Sequence, residues 1–330
     1  MNQSNGDEAR SNRRAEAYLA PETLAQLSPF EMRARMIVEG VRSGLHQSPH
    51  QGMAVEFDQH RGYVPGDDLR HLDWKVYGRS DRLTIKQYQQ ETNLDVLLMV
   101  DASASMRFGT SPIKSGWGKT DASERTGSWT KFDHAVATSV ALSWLSLQQS
   151  DRVGLFMFSN GIDQMIDRSS GRGQWRRIVS KLNSSPVDHG TDLIKTADQV
   201  LGRVTNRSIF VLISDFLTEP EQIQSALARF RHQRQDVLCL QILDDQEINF
   251  RFKGTERFQG LEIDQKLKVD PRSIRDEYIR SLTAHVDLIS STCSQFGFDH
   301  LLMNSHESVG PALGRLLARR SIWLKRNRAG

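Results

Sequence analysis

From about residue 95 onward, short apolar runs alternate with amphipathic stretches. Val96-Leu97-Leu98-Met99-Val100 reads as a buried strand, and further strands are predicted at 153–158, 208–213, 237–243 and 298–303. Residues 161–166 are expected to return beside 153–158 as a hairpin. Helical spacing fills the intervals. Phe132, Val136, Val140, Trp144 and Leu147 mark one helix, and Trp175, Ile178 and Leu182 give 174–182 a single apolar face. Helices are also predicted at 192–204, at 219–231 (opened by Pro220), at 271–296 and at 309–324. A short β-excursion is expected over 250–263, with turn glycines at Gly254 and Gly260. The alternation predicts an α/β fold, a doubly wound and mostly parallel sheet with helices on both faces. Its first strand and the strand before Asp215 are expected to be neighbours near the switch point.

The N-terminal part reads differently. Residues 1–20 are polar and read as disordered. Ser28-Pro29-Phe30-Glu31 opens a helix, with Ser28 as cap, Pro29 at the first position and Glu31 completing a capping box. Residues 52–92 mix short β-like pieces with turn signals at Val64-Pro65-Gly66-Asp67 and Arg79-Ser80-Asp81, and Leu83-Thr84-Ile85 looks like a strand. The expected organisation is a polar N-terminus (1–20), a small helix and β-rich subdomain (21–92) and an α/β domain (93–325). That domain carries an insert rich in Gly, Ser and Thr at 107–130, read as a mobile surface loop or a lid.

Candidate chemistry sits where the first strand ends, at Asp101-Ala102-Ser103-Ala104-Ser105. The carboxyl ends of strands are where open α/β sheets bind ligands. One carboxylate and two hydroxyls, with no sulfur or imidazole, suit Mg²⁺ or Mn²⁺ better than Zn²⁺. Two later segments complete a candidate metal site: His189-Gly190-Thr191-Asp192, and Asp215 after its strand. Read blandly, these Asp and Ser side chains only cap helices, and capping is expected for Asp192. His189 reads as a loop histidine.

This set resembles the von Willebrand factor A fold and its metal-ion-dependent adhesion site. Carried over by position, the resemblance implies Ser103, Ser105 and Thr191 as hydroxyl ligands. Asp101 and Asp215 would act directly or through water, leaving one position open for a partner's carboxylate. A second pattern narrows the family. Arg61, Tyr63, Gly66, Asp67, Asp68, Arg70, Asp73 and Trp74 form an R-x-Y-x-x-G-D-D-x-R-x-x-D-W run, which leads within thirty residues into the D-x-S-x-S strand. That combination resembles the bacterial domain-of-unknown-function-58 family, in its short soluble type. The resemblance implies a MoxR-type AAA+ ATPase as working partner. The motif itself has two readings: charge pairs within a small β-subdomain anchored by Trp74, or a partner-binding surface made by Arg61, Tyr63, Asp67, Asp68, Arg70, Asp73 and Trp74.

Composition limits the alternatives. The 330 residues carry a formal net charge of +3 with 38% hydrophobic residues, and the mean hydropathy is −0.50. That balance does not suggest a dedicated nucleic-acid binder, although Arg315, Arg319, Arg320, Lys325, Arg326 and Arg328 make the C-terminal segment basic. No N-terminal apolar region reads as a signal peptide and no run is long enough for a spanning helix, so a cytoplasmic location is expected. Cys239 and Cys293 read as buried reduced thiols. Gly118-Lys119-Thr120 resembles the end of a P-loop, but Ile113 stands where the first glycine belongs, which argues against nucleotide binding. His46 and His50 read as loop residues. No H-E-x-x-H, G-x-S-x-G or post-strand G-x-G-x-x-G occurs. The expected function is a non-catalytic, metal-dependent protein-binding adaptor. The alternatives are a metal-dependent phosphoester hydrolase using Asp101 and Asp215, or a basic scaffold for nucleic acid or a membrane surface.

Overall fold

Strand β3 (Asp95–Asp101) sorts its side chains by parity, as a pleated strand must. Val96, Leu98 and Val100 enter one apolar cluster, and Leu97 and Met99 enter another on the opposite face. Both faces are therefore buried, which is why the strand reads as a continuous apolar run. A computed structural model describes residues 55–64, 72–90, 94–114, 120–171, 173–183, 187–252, 256–259 and 266–313.

The larger of two compact units holds a six-stranded sheet. It is formed by β3, β4 (Arg152–Ser159), β5 (Gly161–Ser169), β6 (Ile209–Ser214), β7 (Asp236–Leu243) and β10 (Asp299–Asn304). The spatial order is β10-β7-β6-β3-β4-β5, parallel throughout except for the antiparallel β4–β5 edge. This is the doubly wound, Rossmann-like order, with its switch point between β3 and β6. The expected neighbours are thus paired, Val96 opposite Ile209 and Val100 opposite Ile213. Short strands β8 (Glu256–Gln259) and β9 (Lys266–Val269) pair with each other. The predicted β-excursion is therefore present, while Gly254 and Gly260 lie outside the described residues.

Helices cover both faces. On one, α3 (Lys131–Gln148) and α4 (Gln174–Asn183) contribute Phe132, Val136, Val140, Trp175, Ile178 and Leu182. On the other are α5 (Leu193–Leu201), α6 (Pro220–His232) and the long α8 (Pro271–Phe296), through Val200, Leu227, Phe230, Ile289 and Cys293. Phe132, Phe158, Phe210 and Phe230 are essentially fully buried. Each such side chain contributes about 1.5–3 kcal/mol of transfer free energy. Helix α3 is buried on nearly every side, yet it carries hydroxyls. Thr138, Ser139 and Ser143 donate back to the carbonyls of His134, Ala135 and Val140 at 2.8–2.9 Å, so none is left unsatisfied. Among the described residues no helix is long and apolar enough to cross a membrane. Cys239 and Cys293 are both free and buried, as expected. A further helix starts at residue 309; it is described only to 313, so the basic C-terminal residues lie outside the described part.

Two expectations need correction. The insert at 107–130 is not a featureless loop. It contains α2 (Asp121–Thr126), with Ala122, Thr120, Ser123 and Trp129 buried. Its anchor is Asp133, one turn into α3. Asp133 Oδ1 accepts from Thr120 Oγ1 at 2.9 Å and Ser123 Oγ at 2.8 Å, while Oδ2 accepts from Thr130 N at 2.9 Å. One carboxylate thus joins two capping boxes. The segment around Arg79-Ser80-Asp81 is not a simple turn. Arg79 and Ser80 end helix α1 (Trp74–Ser80), and Asp81 closes it with a left-handed φ of 53°. A helix of this length shows no periodicity to read.

The smaller unit, Glu39–Asn93, is described over β1 (Val55–Gly62), α1 and β2 (Thr84–Gln90). The strands pair antiparallel, with Gly62 opposite Thr84. The predicted helix beginning at Ser28, along with His46, His50, Gly66, Asp67, Asp68 and Arg70, lies outside the described residues.

Candidate metal centre

Strand β3 delivers Asp101 to the carboxyl edge of the sheet, fully buried. The chain then turns tightly: Ser103 N donates to Asp101 Oδ1 at 2.8 Å, and a 3₁₀ turn follows over Ala104–Arg107. The Ser103 hydroxyl makes no capping bond to this turn. Instead, Ser103 Oγ lies 3.1 Å from Ser105 Oγ. A backbone bridge between Ser103 and His189, with Ala104 N donating to the His189 carbonyl at 2.8 Å, holds the second loop against the first. Thr191 is thereby brought in, with Oγ1 3.5 Å from Asp101 Oδ1. Asp192 caps α5 by accepting from Lys195 N at 2.9 Å, as expected. His189 is exposed and enters through its backbone. Asp188 faces Arg107 and Arg125 at 3.7 and 3.8 Å on the rim.

The third segment comes from β6. Ser214 Oγ donates to Asp101 Oδ2 at 2.6 Å and accepts from Phe216 N at 2.9 Å. The Asp215 turn is held from several directions. Leu217 N donates to its Oδ1 at 3.2 Å, Gln241 Nε2 donates to its carbonyl at 3.0 Å, and His285 Nε2 lies 2.8 Å from the Phe216 carbonyl. Buried Phe216 takes a left-handed φ of 54°, a conformation that persists only where its surroundings enforce it.

The Asp215 carboxylate is also claimed by a cation of the chain itself. Lys131, at the first position of α3, is fully buried. Its Nζ donates to Asp215 Oδ2 at 2.8 Å and to Glu247 Oε1 at 2.7 Å. Glu247 belongs to α7 (Asp245–Asn249), where its Oε2 accepts from Asp244 N at 2.8 Å. Burial and the charge of Asp215 push Asp101 up to about 7, against the hydrogen bonds from Ser214 and Ser103. Burial also raises Glu247, opposed by the Lys131 charge. For Lys131, burial works against the charged form, but Asp215 and Glu247 together overcome it and the group is raised. Lys131 and Glu247 are the site residues that motif reading missed, and Ser214, part of the Ser-Asp pair ending its strand, gains a role only from the structure. The signal was faint: a lysine just after a capping threonine looks solvent-exposed, and only the meeting of the α3 start with Asp215, after β6, and Glu247, on α7, gives its buried charge partners.

The donor set fits a hard divalent cation. Asp101, Ser103, Ser105 and Thr191 offer oxygen only, gathered from two loops by backbone bonds. Among the described residues no group of three or more His, Cys, Asp and Glu forms a ligand cluster. Beside Thr191 opens a cleft of about 810 Å³ lined by Asn160, Gly190, Asp192, Lys195 and Gln199.

The other motif separates in the structure. Asp73 is buried and caps α1, with Oδ1 accepting from Lys75 N at 2.9 Å and Val76 N at 3.2 Å. Trp74 is 65% exposed and stands edge-on to Tyr77 at 6.2 Å. Tyr63 N donates to the Leu83 carbonyl at 3.0 Å, and Arg61 lies in β1.

Comparison with known proteins adds the family. An uncharacterized protein of Mycobacterium tuberculosis is 26% identical over 270 residues, covering 80% of this chain and 79% of the relative. An uncharacterized protein of Mycobacterium bovis matches to the same extent, 26% over 270 residues. Two solved structures are more distant. The conserved hypothetical protein BatB from Bacteroides thetaiotaomicron is 10% identical over 69% of this chain and 99% of its own, with a TM-score of 0.41. An aerotolerance-related membrane protein from Bacteroides fragilis is 12% identical over 69% of this chain and 100% of its own, with a TM-score of 0.44. The profile of the family described as "Protein of unknown function DUF58" matches residues 59–287, more than half of the sequence, and the chain belongs to that family.

Proposed function

We propose that the α/β domain is a non-catalytic protein-binding module that captures its partner through a divalent cation, Mg²⁺ or Mn²⁺. The observation that carries this reading is the gathering of Asp101, Ser103, Ser105 and Thr191 at the carboxyl edge of the sheet. There Ser103 Oγ lies 3.1 Å from Ser105 Oγ and Thr191 Oγ1 3.5 Å from Asp101 Oδ1. A bound cation would supply an open coordination position for a partner's Asp or Glu carboxylate. The chain's own residues do the rest. Ser214 and the Ser103 backbone fix the Asp101 carboxylate, and the Ala104–His189 bond sets the spacing of the hydroxyls. Arg107 and Arg125, whose two charges Asp188 offsets only by one, leave the rim net positive toward an acidic partner, and the cleft beside Thr191 leaves room for the segment bearing the carboxylate. The partner implied by the family resemblance is a MoxR-type AAA+ ATPase, acting in maturation or assembly of other proteins.

The test is calorimetric titration with Mg²⁺ and Mn²⁺ of the wild type beside Ser103→Ala and Thr191→Ala. Saturable binding that both substitutions weaken supports the reading, and a metal-dependent pull-down then seeks the partner. Absence of binding in the wild type overturns it.

A further inference from the structure

The adhesion-type site described above holds a cation of its own beside it. Lys131 Nζ is shared between two carboxylates, 2.8 Å from Asp215 and 2.7 Å from Glu247, with 1% of the lysine side chain exposed. Asp215 follows Ser214, which hydrogen-bonds Asp101, so the ammonium is hydrogen-bonded to the direct chain neighbour of a residue that holds the Asp101 carboxylate. With Asp101 ionised, as cation binding requires of a group otherwise pushed up to about 7, Asp101, Asp215 and Glu247 carry three negative charges and Lys131 one positive. The balance of two negative charges is what a divalent cation neutralises. A buried charge left without a partner is costly, so any turn of Asp215 toward the site requires another acceptor for the ammonium. Glu247 is that acceptor, and its other oxygen is tethered to Asp244 N at 2.8 Å, so it stays in place.

We propose that Lys131 is a built-in counter-ion that competes with the divalent cation for Asp215, and that Glu247 takes over its ammonium when Asp215 turns to the cation. This rests on the metal-dependent reading above and adds a control on affinity. Lys131 and Glu247 are positioning residues that touch neither cation nor partner. They act in opposite directions: Lys131 holds cation affinity down, and Glu247 relieves that hold. Affinity is thereby kept low until a partner's carboxylate adds its own charge.

The experiment is Mn²⁺ titration of the full chain by calorimetry, in wild type, Glu247→Gln, Lys131→Met, Asp215→Asn and the Lys131→Met/Asp215→Asn pair. Glu247→Gln keeps an oxygen for Asp244 N, and it is expected to weaken Mn²⁺ binding about tenfold, as an interaction between close charges implies. Lys131→Met is expected to tighten binding by about the same factor. In the Asp215→Asn background, Lys131→Met should have no effect on affinity, because the coupling runs through Asp215. Should Lys131→Met not fold, Glu247→Gln read against Glu247→Gln/Asp215→Asn supplies the same cycle. If the wild type binds Mn²⁺ and Lys131→Met and Glu247→Gln both leave the affinity unchanged or both weaken it, the counter-ion role is overturned while the adhesion site stands. If tightening persists without Asp215, the handover is wrong. If neither wild type nor any variant binds Mn²⁺, the metal reading itself fails.

Discussion

Lys131 Nζ lies 2.8 Å from Asp215 Oδ2, joining the first turn of α3 to the end of β6 through two side chains that are 1% and 4% exposed. The pair locks a helix on one face of the sheet to the strand edge that carries the candidate site.

Removing the ammonium leaves Asp215 and Glu247 facing one another without a counter-charge. Lys131→Met is expected to lower stability by about 3–5 kcal/mol in EDTA. Mn²⁺ should restore part of that loss, since it replaces the missing charge. Urea unfolding with and without Mn²⁺ measures both effects. A loss below about 1 kcal/mol would show that the buried pair contributes no more than an exposed one.

Ser214 does two jobs at the end of β6, donating to Asp101 Oδ2 at 2.6 Å and accepting from Phe216 N at 2.9 Å. Ser214→Ala strips a buried carboxylate of a donor and the left-handed Phe216 turn of its tether. A loss of about 1–3 kcal/mol is expected, together with weaker Mn²⁺ binding. Equal stability in wild type and Ser214→Ala, by thermal or urea unfolding, contradicts this.

The insert should be sensitive to a single methyl group. A Cβ at Gly109 would lie 2.1 Å from the Trp129 carbonyl oxygen and 2.6 Å from Thr130 Cα. Both are backbone atoms and cannot swing aside. Gly109→Ala is expected to cost about 1–3 kcal/mol or more and to loosen residues 107–130. Amide exchange in that stretch, compared with exchange in the β-sheet, provides the measurement.

His134 makes stability depend on pH. Burial, with the nearby Lys114 charge, lowers the group from 6.5 to about 3, opposed by a hydrogen bond with the Ser305 backbone. Between those values the unfolded chain binds a proton that the folded chain refuses, so stability falls as the pH falls. The slope from this group is about 1.4 kcal/mol per pH unit through the middle of that window. His134→Phe should therefore flatten the stability profile between about pH 6 and 4. Parallel profiles for the two proteins would show that His134 does not carry the dependence.

In the smaller unit the two halves of the Asp73-Trp74 pair should behave differently. Asp73→Ala removes a helix cap and is expected to cost about 1 kcal/mol. Trp74→Ala removes an exposed ring and should change stability by less than about 0.5 kcal/mol. Comparing their melting curves distinguishes a structural residue from one left for a partner.

The local pattern determined most of the fold. Apolar runs such as 96–100 and 237–243 are too short for buried helices and read as strands covered on both faces, and Thr130, Asp192, Pro220 and Asp270 mark the helix starts through short-range capping or a preset φ. The alternation also made the first strand and the strand before Asp215 neighbours, as their pairing shows, while the full strand order came from the structure. What remained for tertiary structure was anything decided by burial at a distance. Glycine and serine spacing carries no trace of Asp133 gathering Thr120, Ser123 and Thr130, so the insert read as a loop. A lysine is exposed by default, and nothing local distinguishes Lys131 from a solvated one. Its charge is held inside only because α3, β6 and α7, distant in sequence, converge to place Asp215 and Glu247 within 2.8 Å of it. Backbone propensity and apolar period act over a few residues and can be read along the chain. The charge state and partners of a buried ion depend on which distant groups share its cavity, and only the packed structure brings those groups together.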